Sequence, residues 1–522
     1  MPEDITLSPI HAQHTRTTVV LEEEDEPSLY PVQSRVQVPD SRLKEIAFIS
    51  IICMAQLMTQ ASLGQAIAPL HIIGASFGTS NPGQLSWFPA AYSLTVGTFI
   101  LVAGRLGDLF GHKLFFVVGF LWYALWTALA GFSVYSRGSP IFFDICRAFQ
   151  GIGPAFLLPN SLAILGRAYP NGRRKEMVFS IFGATAPGGF VLGAVFSSLF
   201  AELVWWPWTF WVGGIVGLLC AILGYFLIPR TPRSKINVIG GTSLFALIDV
   251  LGASTGIVGL VLVNFAWNQA PIVGWGTPYI YILLIIGVLF LCAFGYVESA
   301  VSKYPLIPME AMTKDTGFIL GCIAAGWATF GIWVYYLWLL QETLENVTPL
   351  LTTARFAPVG ISGLCAAIST GLLLHRLGPG PVMTLAMLAF LVGTILIAML
   401  PLGQVYWAQL FVAIVVMPWG MDMSFPAANI VLSDRMSDEH QGVAASLVNT
   451  VLNYSISLGL GLAGTIEVHV NNNGTELLKG YRSALYFGIG LAALGVCCAF
   501  GFMFSSWREE KVMEKDGDME SV

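Results

Sequence analysis

From Ile46 to about Ser506 the sequence is a succession of apolar runs, about fourteen in all, each long enough to cross a bilayer. About 20 apolar residues in a helix span the hydrocarbon, and only segments that satisfy their own backbone hydrogen bonds persist there. The chain is therefore expected to be an all-α, polytopic membrane protein with fourteen transmembrane helices. Charged residues make up 11% of the 522, against about 25% in a soluble domain, so few faces are prepared for water. The eight cysteines all fall inside apolar runs, without metal or disulfide spacing, and read as small packing residues. No metal cluster, nucleotide loop or nucleophile triad stands out, so no enzymatic activity, cofactor or nucleic-acid partner is expected.

Between the apolar runs Ser86 to Ala103 and Leu114 to Gly131 lies Gly104-Arg105-Leu106-Gly107-Asp108-Leu109-Phe110-Gly111-His112-Lys113. A link so rich in glycine and charge is expected to be a tight turn at one membrane face. Asp108 is placed to cap the helix that follows. Arg105, His112 and Lys113 are expected to mark the cytosolic side.

This link resembles the G-x-L-x-D-x-x-G-x-K/R signature of the major facilitator superfamily, and Gly371-Leu372-Leu373-Leu374-His375-Arg376-Leu377-Gly378 echoes it later in the chain. The resemblance implies two six-helix bundles rocking about a midplane site. It also implies a gate on the cytosolic side built from Gly104, Arg105, Asp108, Gly111 and Lys113.

The expected division is a disordered acidic tail over 1–45, a six-helix bundle over 46–229, a linker with two extra helices over 230–312, a second six-helix bundle over 313–506 and a tail over 507–522. The first tail carries Glu22-Glu23-Glu24-Asp25-Glu26, and the linker opens on Arg230-Thr231-Pro232-Arg233-Ser234-Lys235. Six plus two plus six is similar to the fourteen-helix drug:proton antiporter branch. An even number of spans puts both termini on one side, and a basic bias of about three to one assigns that side to the cytosol. Asn473-Gly474-Thr475 then lies outside the cytosol, where Asn473 is an acceptor for an N-linked glycan.

Helix four holds Arg147-Ala148-Phe149-Gln150-Gly151-Ile152-Gly153-Pro154, which resembles the family's second motif. Arg147 and Gln150 share a face there. A cation in the membrane needs a cavity or a partner, and Asp144 is one turn away. Helix five has part of the superfamily's antiporter pattern at Gly183, Pro187 and Gly189; kinking and close packing account for the same residues. Helix one lacks the expected aspartate and offers Gln56 and Gln60, which cannot titrate. With Asp249 in helix seven and Asn264 and Asn268 after it, the chain looks like the fungal aminotriazole-resistance-type subgroup. Helix twelve brackets a lone carboxyl, Asp422, between Pro418 and Pro426, with Asn429 on its face. Helix thirteen adds Ser446, Asn449, Asn453 and Ser457 at helical spacing, as site or as interhelical glue. Aromatics in helix nine, from Trp327 to Tyr336, are placed for a cavity wall or for lipid.

The expected protein is a monomeric secondary transporter of the cell membrane, or of an internal membrane such as the vacuole. It exports small organic compounds by alternating access, coupled to protons. Gln60, Arg147, Gln150, Asp422, Asn449 and Asn453 are the expected solute or coupling residues. The rival reading is a carrier of a small polar solute such as ammonium or borate. A reading of another class is a non-transporting nutrient sensor on the same fold.

Overall fold

The structure, a computed structural model, describes residues 41–136, 138–170, 172–229, 244–307, 312–434, 441–472 and 474–520. The acidic run at Glu22, the linker from Arg230 to Lys235, Pro308 and Asn473 lie outside the described residues. Fourteen described helices are long and apolar enough to cross a membrane. They are α1 (Arg42–Ile67), α2 (Pro82–Phe110), α3 (His112–Tyr135), α4 (Pro140–Ala168), α5 (Met177–Leu203), α6 (Pro207–Leu227) and α7 (Val250–Val273). The chain continues through α8 (Pro278–Val301), α9 (Lys314–Leu344), α10 (Pro349–Leu377), α11 (Pro379–Ala398), α12 (Leu410–Ser433), α13 (Ser446–Val470) and α14 (Leu477–Ser505). Each expected span has its helix.

Local chemistry sets the helix starts. Pro occupies the first helical position of α2, where Asn81 accepts from Gly83 N at 2.9 Å. Thr313 and Thr348 cap α9 and α10 in the same way. Asp249 caps α7 from a left-handed backbone position rather than lying inside the helix, while Asn264 and Asn268 are within α7 rather than after it. The backbone of α14 continues as helix to Glu520, into the segment expected as a tail.

The packing pattern repeats with an offset of eight helices. In the first set α1 packs on α5 and α6, α2 on α4, and α3 on α4 and α6. In the second set α9 packs on α13 and α14, α10 on α12, and α11 on α12 and α14. The sets meet at α2 with α13 and at α5 with α10, which are equivalent pairs under that offset. The extra pair α7 and α8 pack on each other, and α7 leans on α2 and α13.

Lipid is as apolar as leucine, so helix association here depends on close fit and hydrogen bonds rather than on exclusion of water. Glycines supply the fit. Gly189 and Gly193 of α5 lie against the Leu57 and Ala61 carbonyls of α1, and Gly64 returns the contact to Phe190. Gly97 of α2 lies against the α13 backbone, where a Cβ would fall 2.6 Å from Tyr454 N and 3.0 Å from Thr450 O.

The Gly104–Lys113 link is shorter than its composition suggests. Gly104 to Phe110 continue α2, and Gly111 alone is non-helical, at φ 104°. Gly378 joins α10 to α11 in the same left-handed manner, at φ 76°. Asp108 does not cap α3, whose N-cap is Gly111 without a side-chain bond. The physical reason is that the charges of the link find partners on other helices, so α2 can run past the hydrocarbon without unwinding.

Backbone cannot yield to a new methyl as a flexible side chain can. Gly97→Ala is therefore expected to lower the thermal unfolding midpoint, at a cost of about 1–3 kcal/mol. Gly183→Ala, with nothing within 4 Å of the added carbon, should leave it unchanged. Equal midpoints for both variants in detergent would show that α2 and α13 are not held at backbone contact.

Candidate functional site

The charged residues of the link tie α2 and α3 to their neighbours: to α4, to the end of α6 and to the segment before α7. Arg105 Nε donates to Leu247 O just before α7 at 3.0 Å. Asp108 accepts from Arg167 Nη2 of α4 at 3.0 Å, and His112 Nε2 lies 3.4 Å from the same oxygen. His112 Nδ1 meets Asn160 Oδ1 of α4 at 2.7 Å. Lys113 Nζ donates to Ile228 O, where it satisfies a carbonyl at the end of α6. Gly104 faces Ser446 of α13, and a Cβ there would sit 3.1 Å from Ser446 Oγ. A narrow cleft runs along this corner, lined by Arg105, Asp108, Leu306, Val443 and Ser446. The Asp108–Arg167 pair lies within the first set, not between the sets.

Arg147 and Gln150 are fully buried in α4. Arg147 Nε donates to Phe88 O of α2 at 3.0 Å, Nη2 to Ser62 O of α1 at 2.7 Å, and Nη1 to Gln150 Oε1. Its guanidinium stacks over Tyr92, 4.6 Å from the ring centre. Gln150 Nε2 donates to Thr127 Oγ1 of α3 at 2.7 Å, and Tyr123 of α3 meets Ser62 at 2.7 Å. The network joins α1, α2, α3 and α4. Asp144 instead accepts from Gln84 Nε2 at 2.7 Å, and among the described residues no ion pair joins it to Arg147.

Asp422 is differently placed. It is partly exposed, as are Asn429 on the same helix and Gln60 on α1. Its Oδ2 is buried without a hydrogen-bond partner. That oxygen lies over Gly363 of α10, as does Pro187 of α5: a Cβ on Gly363 would meet the oxygen at 2.7 Å and the proline ring at 3.0 Å. The lone carboxyl therefore sits at the crossing of α5 and α10, one of the two main seams between the sets.

The polar stripe of α13 faces α2 and α7. Ser457 Oγ lies 2.9 Å from Ala90 O of α2 and 2.8 Å from Asn264 Oδ1 of α7, and its one hydroxyl hydrogen serves the two acceptors. Asn268 Nδ2 reaches Ser457 O at 3.2 Å. Asn453 Nδ2 donates to Asn449 O at 3.0 Å, and both asparagines are buried. Trp327, Phe330, Trp333, Tyr335 and Tyr336 of α9 are also buried. Pairing Asp422 with Gly363 and Pro187 could not be read from the sequence, because a glycine and a helix proline announce nothing about a partner so distant in sequence.

Fourteen spanning helices in a repeated packing, with a carboxyl at the crossing of the repeats, define a multi-pass membrane transporter. The sequence profile of the Major Facilitator Superfamily matches residues 49–460 and 318–520, and the chain belongs to that family. It is 62% identical to the low affinity ammonium transporter of Saccharomyces cerevisiae over 473 residues, covering 91% of each chain. It is 52% identical to the efflux pump terJ of Aspergillus terreus, covering 92% of each. The aminotriazole resistance protein of Saccharomyces cerevisiae is 39% identical, over 89% of this chain and 85% of that one. A crystal structure of an auto-inhibited POT family peptide transporter shares the fold, with a TM-score of 0.62 at 16% identity over 88% of this chain and 97% of that one. The family and subgroup resemblance seen in the sequence is thereby confirmed.

The Asp108 side chain is 42% exposed, and such pairs contribute about 0–1 kcal/mol. Asp108→Asn is expected to insert normally and to keep its unfolding midpoint, while transport per molecule falls at equal surface level. A large loss of folded protein would make the pair structural, and unaltered transport would remove any gating role.

Proposed function

We propose that the chain is a secondary transporter working by alternating access, that it carries a small cationic solute of the ammonium type, and that Asp422 is the residue that meets the cation. The observation that carries this reading is the Asp422 carboxyl at the α5–α10 crossing, with one oxygen unpartnered. An uncompensated carboxylate at membrane depth is costly and recruits a cation or a proton. Ammonium offers four N–H donors and one positive charge, which suits that oxygen. The 62% identity with an ammonium transporter supports the solute class. The sequence expectation had put export of organic compounds first; that identity moves the small-cation reading ahead of it.

In this reading Arg147 and Gln150 organise the first set rather than meet the solute, because their polar atoms are already engaged. Asn449 and Asn453, buried on α13, the helix that packs on α2, belong to the surface on which the sets rock. The face at Gly111 and Gly378 is the cytosolic one, with both termini there. Arg105, Lys113, Arg167, Arg174 and Arg376 near that face support the assignment. The host membrane is the cell membrane, the working unit is the monomer, and protons are the coupling ion, taken up at carboxyls other than one in helix one.

A second reading, efflux of a small organic compound, is favoured by the 52% identity with an efflux pump. Labelled methylammonium uptake into proteoliposomes, with and without a pH gradient, separates the two. Wild type should take up the probe, and Asp422→Asn should lower the initial rate about tenfold or more, the effect of losing roughly 1.4 kcal/mol at one contact. Full uptake by Asp422→Asn would remove the residue from the solute path. Wild type that ignores methylammonium but expels an organic cation would establish the efflux reading instead.

A further inference from the structure

The face opposite Gly111 carries a titratable contact that the proposed solute site does not use. The short helix Leu70–Ser76 follows α1 and brings His71 Nδ1 to 2.7 Å from Glu342 Oε2. Glu342 sits where the end of α9 widens into a π turn over Leu340–Leu344, and its side chain is 3% exposed. Its other oxygen, Oε1, is buried without a partner. The contact therefore joins the first set to the second.

Further hydrogen bonds seal the same face around it. Glu202 at the end of α5 accepts from Leu350 N of α10 at 2.5 Å. Ser198 Oγ meets Thr353 Oγ1 at 2.9 Å, and Tyr335 OH donates to Pro82 O at 2.8 Å. The charged groups around the pair are mostly acidic. Glu202 comes from α5 and Glu345 from the turn after α9, and the start of α2 brings none. Arg355 of α10 is held by Gln341 Oε1 at 2.8 Å, with Glu345 at 3.7 Å. From α14, behind the π turn, come Tyr481, Lys479 bound to Glu476, and Arg482 bound to Leu400 O.

With only the imidazole's own hydrogen between them, the pair would carry a net negative charge, buried, with Oε1 bare and Glu202 nearby. That is an expensive arrangement. One more proton makes the pair neutral, as imidazolium with carboxylate or as imidazole with carboxylic acid. We propose that His71 and Glu342 form a proton-binding site that is complete only when this face is closed, taking up one proton on closure and releasing it on opening. Burial holds the His71 imidazolium down and Glu202 partly restores it, so the proton belongs to the pair rather than to the histidine.

Once the face opens, the two groups separate into water, and above about pH 6.5 neither keeps the extra proton. The closed state then binds one proton more than the open state. Falling pH between about 8 and 6.5 therefore favours closure. The inference rests on the alternating-access part of the proposed function and not on the identity of the solute.

The test is amide hydrogen exchange of Leu70–Ser76 in lipid nanodiscs at pH 6.5 and pH 8, corrected for intrinsic exchange and with no solute present. Protection in wild type should be about fivefold or more greater at pH 6.5, within the usual range of coupling between sites. The double variant His71→Gln, Glu342→Gln can still hydrogen-bond but cannot titrate, and its corrected protection should not change with pH. Flat protection in wild type overturns the proposal and requires no variant to fold. Unchanged pH dependence in the double variant overturns it as well. Neither result bears on methylammonium uptake, so this failure and that of the solute reading are separable.

Discussion

The guanidinium of Arg147 is a full charge inside a helix bundle that faces hydrocarbon, and the first set is built to accommodate it. Three of its nitrogens donate, to two backbone carbonyls on α2 and α1 and to Gln150, and Tyr92 covers its face. Such charge-assisted bonds are stronger where water is excluded, and a carbonyl freed for this purpose must come from a helix that can spare it. The result binds α1, α2, α3 and α4 through one side chain. Asp422 presents the opposite case. It is a carboxyl with one oxygen left without a hydrogen-bond partner, at a crossing between the sets, and it is half-buried. One side chain is engaged by the fold, and the other is the one proposed to meet the solute.

The duplicated architecture explains why the available charge lies where it does. Glycines bring helices close enough to exclude a Cβ both within the sets and, at Gly97, between them, and the sets touch chiefly along α2 with α13 and α5 with α10. Single left-handed glycines, Gly111 and Gly378, turn the chain at equivalent places. Two stiff sets joined along two seams can rock, and a group at a seam changes its surroundings as they do. Asp422 lies at one seam. His71 and Glu342 close the face above it.

Much of this was legible in the sequence, because spanning length is a property of composition: each of the fourteen apolar runs became a helix. The family motif was legible for the same reason, as fixed spacing of unusual residues. What it did not disclose was geometry. Glycine and charge between two apolar runs look like a turn, yet Asp108 meets Arg167, 59 residues on, and the helix continues. Arg147 was recognisable as a membrane cation, but its acceptors are backbone carbonyls, which no residue type announces. His71 and Glu342 stand 271 residues apart in no motif. Asp422 was evident as a lone carboxyl between prolines, and its position over Gly363 required the fold.

The most direct test of a fold held by a compensated cation, with the unpartnered carboxyl of Asp422 proposed for the solute, is a comparison of thermal unfolding midpoints in detergent. Arg147→Gln removes the guanidinium's bonds to the Phe88 and Ser62 carbonyls and to Gln150 Oε1 and should cost about 3 kcal/mol or more, since bonds to a charged group contribute about 1.5–3 kcal/mol each. Asp422→Asn replaces a half-buried carboxyl whose Oδ2 has no hydrogen-bond partner, so its midpoint should be unchanged or raised. A midpoint for Asp422→Asn as low as that of Arg147→Gln would contradict the account, because it would make both charges structural.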